Sequence, residues 1–177
     1  IQTSSPEIYG NITNSFKESK NYNPTTPYGA SKAGFDMYLH MVYDRFKFPS
    51  VIIRTANIYG PHQQLYRIIP KTIIKIKKQE KLPLDGGGKS KRYFLYESDL
   101  TNGVHMLIDK GIDGEIYHMS GLDYISIHDL VLKISEKMNY SFDDLVYLAP
   151  DRLGKDDEYA IDSTKANNEL LWYPKVD

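Results

Sequence analysis

Apolar side chains recur at Phe35, Tyr38, Met41, Val42 and Phe46, the three- and four-residue intervals that place residues on one helical face. Just upstream, Thr26 is a good N-cap. Pro27 suits the first helical position, where its missing N–H costs nothing. The pattern predicts a long helix from about Pro27 to about Arg45. Before it, Ile1 to Ser4 reads as the end of a strand already under way, and after Ser5-Pro6-Glu7 the chain is a polar loop rich in Asn, Ser and Lys. Ser50 to Thr55 is β-branched and bounded by turn signals, which predicts a short buried strand. Further on, Lys71 to Lys78 is helical. Leu82–Leu84 and Arg92–Tyr96 are extended, joined by the turn Asp85-Gly86-Gly87-Gly88. Ser98 offers a cap for a helix reaching Ile108, and Ile116–Met119 reads as a strand. Ser126 with Asp129 three residues on resembles a capping box for a helix through Met138. Leu145–Leu148 is a predicted strand and Ser163–Leu171 a closing helix. Strands alternating with helices indicate an α/β fold.

Composition narrows the field. The 177 residues suffice for one domain with a real core. With 41% hydrophobic and 25% charged residues, the balance is that of an ordinary globular protein. There is no cysteine, which excludes disulfide and thiolate chemistry. No apolar run approaches the roughly 20 residues of a membrane span, so no membrane partner is expected. A net charge of −1 gives no general reason to expect a nucleic-acid partner. These features together lead us to expect a cytoplasmic protein acting on something small. The absence of an initiating Met, with a strand already in progress at Ile1, reads as a fragment.

The first candidate chemistry is Tyr28-Gly29-Ala30-Ser31-Lys32. Four residues apart on a helix, Tyr28 and Lys32 lie one above the other. An ammonium in that place favours the tyrosinate by charge proximity, which a tyrosine needs if it is to act as a base near neutral pH. The spacing alone is weak, for Tyr43 and Lys47 repeat it at what reads as an exposed helix end. Context separates the two: a strand ending in serines precedes Tyr28, and Thr-Pro caps its helix.

Ser4-Ser5-Pro6-Glu7-Ile8-Tyr9-Gly10 followed by Pro27-Tyr28-Gly29-Ala30-Ser31-Lys32 resembles the active-site core of the NAD-dependent epimerase/dehydratase family, the extended short-chain dehydrogenases of nucleotide sugars. The resemblance continues through Arg54-Thr55-Ala56-Asn57-Ile58-Tyr59-Gly60-Pro61, Leu82-Pro83-Leu84 with its glycine turn, and Arg92-Tyr93-Phe94-Leu95-Tyr96. It ends with Asp151-Arg152-Leu153-Gly154 and Ala160-Ile161-Asp162-Ser163-Thr164-Lys165-Ala166, so essentially the whole chain is covered.

The resemblance implies a Rossmann-like fold truncated at its N-terminus. Residues 1–60 would be the later part of the dinucleotide-binding domain. Residues 61–177 would be mainly a small mixed α/β substrate region, with some elements returning to the Rossmann sheet. It implies NAD as cofactor, a nucleotide-diphosphate sugar as substrate, and a homodimer paired through the Tyr28 helix. Tyr28 would take the proton of the sugar 4-hydroxyl, Lys32 would hold the nicotinamide ribose, and Ser5 would hydrogen-bond the same hydroxyl. Asn57, Arg67, Arg92 and Arg152 would bind substrate, Arg92 and Arg152 at the diphosphate, to which their planar fork of donors is suited.

Two departures bear on the reaction. In 4,6-dehydratases the first motif reads Thr-Asp-Glu, the glutamate removing the carbon-5 proton and the aspartate protonating the departing 6-hydroxyl. Here Glu7 keeps the base, but Pro6 has no proton to give. Either that role passes to Glu7, water or another residue, or no elimination occurs. The stretch from His62 to Pro70 resembles dehydratases more than 4-epimerases, which favours a dehydratase-like reaction over an epimerase, a uronate decarboxylase or a non-catalytic homologue. At the nucleotide end, Asp157 and Glu158 stand where thymidine-nucleotide dehydratases usually carry two arginines, which leaves UDP, dTDP, CDP and GDP sugars open. Tyr93 replaces an aspartate common in the family.

Other patterns have plainer explanations. Asp85 to Ser90 looks like a phosphate loop, but Pro83 stands where that motif needs its first glycine. Lys75, Lys77, Lys78 and Lys81 cluster near a helix end, where cations are favoured. The five histidines lack metal-ligand spacing, so no metal is expected. No Gly-rich dinucleotide turn with its distal acidic residue occurs. Roughly a hundred residues would precede Ile1 if the family architecture holds, and this chain alone would then neither grip NAD nor turn over.

Overall fold

A computed structural model describes residues 1–151 and 158–176. Its first sheet is parallel, in the order β1 (Gln2–Ser4), β3 (Ile52–Thr55), β7 (Ile116–Met119). Helix α1 (Pro27–Phe46) makes the crossover from β1 to β3, the connection that parallel neighbours require. Every residue of β3 and β7 is buried, which is why these strands read as continuous runs rather than as an alternation. The main core packs Val51, Ile53, Leu95, Tyr117 and Met119 against Leu107 of α3 (Glu97–Lys110) and against Ala166, Leu170 and Trp172, in and just after α6 (Thr164–Leu170). Elements late in the chain thus complete the first sheet's core.

A second core joins Ile76 of α2 (Ile68–Lys78), Leu82 and Leu84 of β5 (Leu82–Asp85), Val131 of α4 (Ile127–Lys137) and Leu145. Strand β5 pairs in parallel with β9 (Val146–Ala149), directly after the short helix α5 (Phe142–Leu145). Leu145 therefore ends a helix instead of starting the predicted strand. After β5 the chain turns through Gly86, Gly87 and Gly88, all at positive φ (55°, 70° and 69°), a conformation side chains with a Cβ resist. A further sheet runs β4 (Asn57–Tyr59), β6 (Lys91–Tyr96), β8 (Tyr124–Ser126), and β2 (Ile12–Phe16) pairs with β10 (Tyr159–Ile161). Four of these strands, β2, β4, β8 and β10, were not evident from the sequence. Each has three to five residues and is held by a partner far along the chain, as Ile12 is by Tyr159. Helix α3 begins one residue before Ser98, whose hydroxyl is not its cap. Ser126 does cap α4, accepting from the Asp129 N–H at 3.0 Å. Among the described residues no helix is long and apolar enough to cross a membrane.

Helix α1 is turned the opposite way from its apolar pattern. Phe35, Tyr38, Met41 and Phe46 are exposed, whereas Gly29, Ala33, Asp36 and His40 are buried. The inward face meets a polar row instead. Ser4, Arg54 and His118 are register neighbours across β1, β3 and β7. Asp36 Oδ2 accepts from Ser4 Oγ at 2.8 Å and from Arg54 Nη2 at 2.9 Å. Arg54 Nη1 also donates to the Ser19 carbonyl (2.7 Å) and to the Tyr9 hydroxyl. Asp36 and Arg54 are both fully buried, so the carboxylate offsets a charge that water cannot reach.

His118 Nε2 lies 2.9 Å from the Tyr9 hydroxyl and its Nδ1 lies 3.1 Å from the Phe16 carbonyl, which suits a neutral ring protonated at Nδ1. Burial first, and the Arg54 charge second, push His118 down to about 3. An unfolded histidine takes a proton near pH 6.5, so between there and about 3 the unfolded state binds the extra proton. The stability that His118 contributes is whole above pH 6.5 and falls as the pH drops through that window, by about 1.4 kcal/mol per unit. We expect urea midpoints to fall between pH 7 and pH 5, and His118→Gln to flatten that dependence. Equal slopes in the two proteins would show that the acid sensitivity arises elsewhere.

Candidate active site

The site grows from the carboxyl ends of β1 and β3, where open parallel sheets bind their ligands. Beyond β1, the buried Ser5 caps a single 3-10 turn, Pro6–Tyr9, its Oγ accepting from the Glu7 N–H at 3.3 Å. Pro6 occupies the first position of that turn, where a missing N–H is harmless. Proline here therefore has a local structural use: it starts the turn that presents Glu7.

Helix α1 brings the second half. Thr26 caps it as the sequence predicts, Oγ1 accepting from the Gly29 N–H at 2.9 Å. Tyr28 is 50% exposed, and the Lys32 ammonium lies 5.8 Å from its ring centroid. Lys32 Nζ donates to the Thr3 carbonyl at 3.0 Å, which ties the helix to β1 and holds the ammonium at the strand end. The Thr26 hydroxyl donates in turn to Glu7 Oε2 at 3.3 Å. Ser5, Glu7, Tyr28 and Lys32 thus come together at one edge of the sheet. The Tyr43/Lys47 repeat lies at the far end of α1, where Lys47 sits 5.1 Å from the Tyr43 ring centroid and Gly114 abuts that ring.

Asn57 and Arg92 form an adjoining cluster around a residue the sequence did not single out. The Tyr159 hydroxyl donates to Asn57 Oδ1 at 2.9 Å, and the buried Arg92 guanidinium lies 4.2 Å from the Tyr159 ring centroid. Burial raises the Tyr159 phenol above its usual range, Arg92 opposes that rise, and the charge of Glu7 adds to it. That Glu7 influence connects the two clusters. Tyr159 directly precedes the Ala160-Ile161-Asp162 motif, and its position there was the only signal available. Arg67 sits apart: it is exposed at the N-cap of α2, its guanidinium 5.5 Å from the Tyr66 ring centroid. Arg152, Asp156 and Asp157 lie outside the described residues. Glu158 is described; its carboxylate, together with burial, raises Tyr124 to about 12, burial being the larger cause.

A family model described as GDP-mannose 4,6 dehydratase matches residues 1–177. The chain belongs to the GDP-mannose 4,6-dehydratase family. The chain is 35% identical to a mouse dTDP-D-glucose 4,6-dehydratase, covering 99% of this chain and 51% of the relative. Among solved structures, the Streptomyces venezuelae dTDP-glucose 4,6-dehydratase DesIV, crystallised with NAD and TYD bound, superposes with a TM-score of 0.94 at 30% identity, covering 99% of this chain and 55% of that one. A Bacillus cereus UDP-glucuronic acid 4-epimerase, crystallised with UDP-glucuronic acid and NAD, reaches 0.93 at 25% identity, covering 99% and 56%. The chain spans about half the length of the curated relatives it matches. The α/β architecture is that of the extended short-chain dehydrogenases, as the motifs implied.

Proposed function

We propose that the whole protein is an NAD-dependent nucleotide-sugar 4,6-dehydratase and that this chain supplies its acid–base residues. One observation carries the proposal: a carboxylate, Glu7, is held on the N-terminal turn of the very helix that presents Tyr28 and Lys32. Oxidation at carbon 4 needs only the Tyr/Lys pair, whereas elimination also needs a base for carbon 5.

The residues present fit the nicotinamide-ribose end of the cofactor. Tyr28 is half exposed, and the ammonium of Lys32 is anchored at the sheet's carboxyl end through one of its three donors. When bound, NAD supplies a reversible hydride store for the oxidation at carbon 4 and the closing reduction. Tyr28 removes the 4-hydroxyl proton, with Ser5 as hydrogen-bond partner. The resulting 4-ketone acidifies the carbon-5 hydrogen, which Glu7 takes as a proton. The electron pair left on carbon 5 forms the carbon 5–carbon 6 double bond as the carbon 6–oxygen bond breaks. Glu7 returns its proton to the departing hydroxyl, so one water leaves and no aspartate is needed at position 6. In the closing reduction carbon 6 regains the hydride while carbon 5 regains a proton from solvent, which balances the one Tyr28 removed. Asn57, with its carbonyl end committed to Tyr159, offers its NH2 end to substrate. Arg92 and Arg152 serve the diphosphate, and Arg67, set apart at the start of α2, would meet substrate elsewhere. The exposed Phe35, Tyr38 and Met41 face of α1 supports a homodimer paired through this helix, since apolar patches of that kind mark interfaces. A cytoplasmic location suits such a substrate.

A 4-epimerase is the second reading, favoured by Pro6, which cannot serve as the acid. Incubating the whole protein with UDP-, dTDP-, CDP- and GDP-hexoses and recording product masses separates the two. We expect one substrate to lose one water. An isomer of unchanged mass would move the assignment to epimerase and leave Glu7 without its role.

A further inference from the structure

The inference rests on Glu7 as the carbon-5 base. Two contacts seat that residue on the first turn of α1. Its Oε2 accepts from the Thr26 hydroxyl at 3.3 Å. Its backbone carbonyl presses against Gly29 so closely that a Cβ there would lie 2.7 Å from the Glu7 oxygen. Glu7 is thus held at both backbone and side chain by residues that flank Tyr28 on either side.

The bonds run in series. The Gly29 N–H donates to Thr26 Oγ1 at 2.9 Å, and the same oxygen carries the proton given to Glu7. A hydroxyl that accepts from a helix-terminal N–H is polarised into a better donor. It also has little freedom to point elsewhere, because its lone pair is committed to the cap. A carboxylate hydrogen-bonded by such a donor has that oxygen fixed in the frame of the helix that carries Tyr28.

We propose that Thr26 is a positioning residue for the elimination half of the reaction, fixing the Glu7 carboxylate in the frame of Tyr28. Since a cap alone needs only an acceptor, the donor and the cap can be separated by substitution. Serine keeps both. Aspartate keeps a strong cap acceptor, gives no proton, and sets a like charge against Glu7. Valine loses both.

The experiment uses the whole protein with NAD and dTDP-glucose, or whichever hexose of the panel loses water. Three quantities are read: absorbance of the reduced nicotinamide for oxidation at carbon 4, exchange of the carbon-5 hydrogen with deuterated solvent for elimination, and the melting temperature for integrity of the helix. T26S should match the parent in all three. T26D should keep its oxidation rate, with a melting temperature below that of T26S but above that of T26V, while carbon-5 exchange and water loss slow by about 10- to 100-fold, the worth of a hydrogen bond to a charged group. T26V should show the same slowing together with a lower melting temperature.

E7Q serves as the reference. Normal dehydration in T26D with E7Q inactive would overturn the positioning role and leave Glu7 as the base. Equal loss of oxidation and exchange in T26D would also overturn it, since the helix start itself would then be disturbed. Normal dehydration in E7Q would remove Glu7 from the mechanism, and the role of Thr26 with it.

Discussion

Replacing Tyr28 by phenylalanine in the whole protein should lower turnover by about a hundred- to ten-thousand-fold, the usual contribution of a positioned acid or base. The change removes one oxygen from a half-exposed ring and leaves the ring itself, so Lys32 keeps its aromatic neighbour and its bond to the Thr3 carbonyl. Folding should therefore be unaffected, with stability within about 0.5 kcal/mol of the parent, as for most surface changes. The loss should fall on kcat and leave KM nearly unchanged, because proton transfer matters in the transition state more than in the bound substrate. Dehydratase and epimerase readings share this expectation, since both begin with oxidation at carbon 4. A variant that kept turnover within tenfold would take Tyr28 out of the chemistry, whereas a parent with no turnover to lose would point to a non-catalytic homologue.

The second large effect concerns stability. Asp36→Asn should destabilise the protein by about 3–5 kcal/mol, the cost of leaving a buried charge without its partner. Arg54 is completely buried, and its remaining hydrogen bonds, to the Ser19 carbonyl and the Tyr9 hydroxyl, involve neutral groups that cannot balance the charge. Adding Arg54→Met should recover much of the loss, because an apolar side chain at that position asks for no partner. Urea unfolding of the two single variants and the double variant reads the coupling directly. Additive losses would mean that the pair contributes through shape alone. The network also touches function. Tyr9 closes the turn that carries Glu7, and Asp36 lies one helical turn beyond Lys32, so Arg54 braces both halves of the site.

Local chemistry was legible without the fold. Thr26-Pro27 marked the start of α1 to the residue, because a cap and a proline at the first position act on their own few residues. The buried strands Ile52–Thr55 and Ile116–Met119 showed as β-branched or apolar runs, because both of their faces lie in the core. Tyr28, Lys32, Ser5 and Glu7 were legible by motif as candidates for acid–base chemistry, and only the tertiary structure placed Glu7 on the cap of the tyrosine helix.

The orientation of α1 was not legible. Its apolar residues suggested an inward face, yet Asp36 and His40 point inward while Phe35, Tyr38 and Met41 face out. Periodicity reports that a helix has two different faces; which one is buried depends on what it meets. Here the meeting surface carries Ser4, Arg54 and His118, three polar residues from separate strands that share one row only because parallel pairing sets their register. Strands β2 and β10, each three to five residues long, exist because they pair with each other across more than half the chain. A separation of 102 residues likewise closes to bring Tyr159 to Asn57. The sequence by itself determined the elements stabilised by their own neighbours and the residue types able to do acid–base chemistry. Tertiary structure decided everything that depends on a partner remote in the chain, because the energy of a charge pair, a strand ladder or a shared hydrogen bond exists only once both members have met.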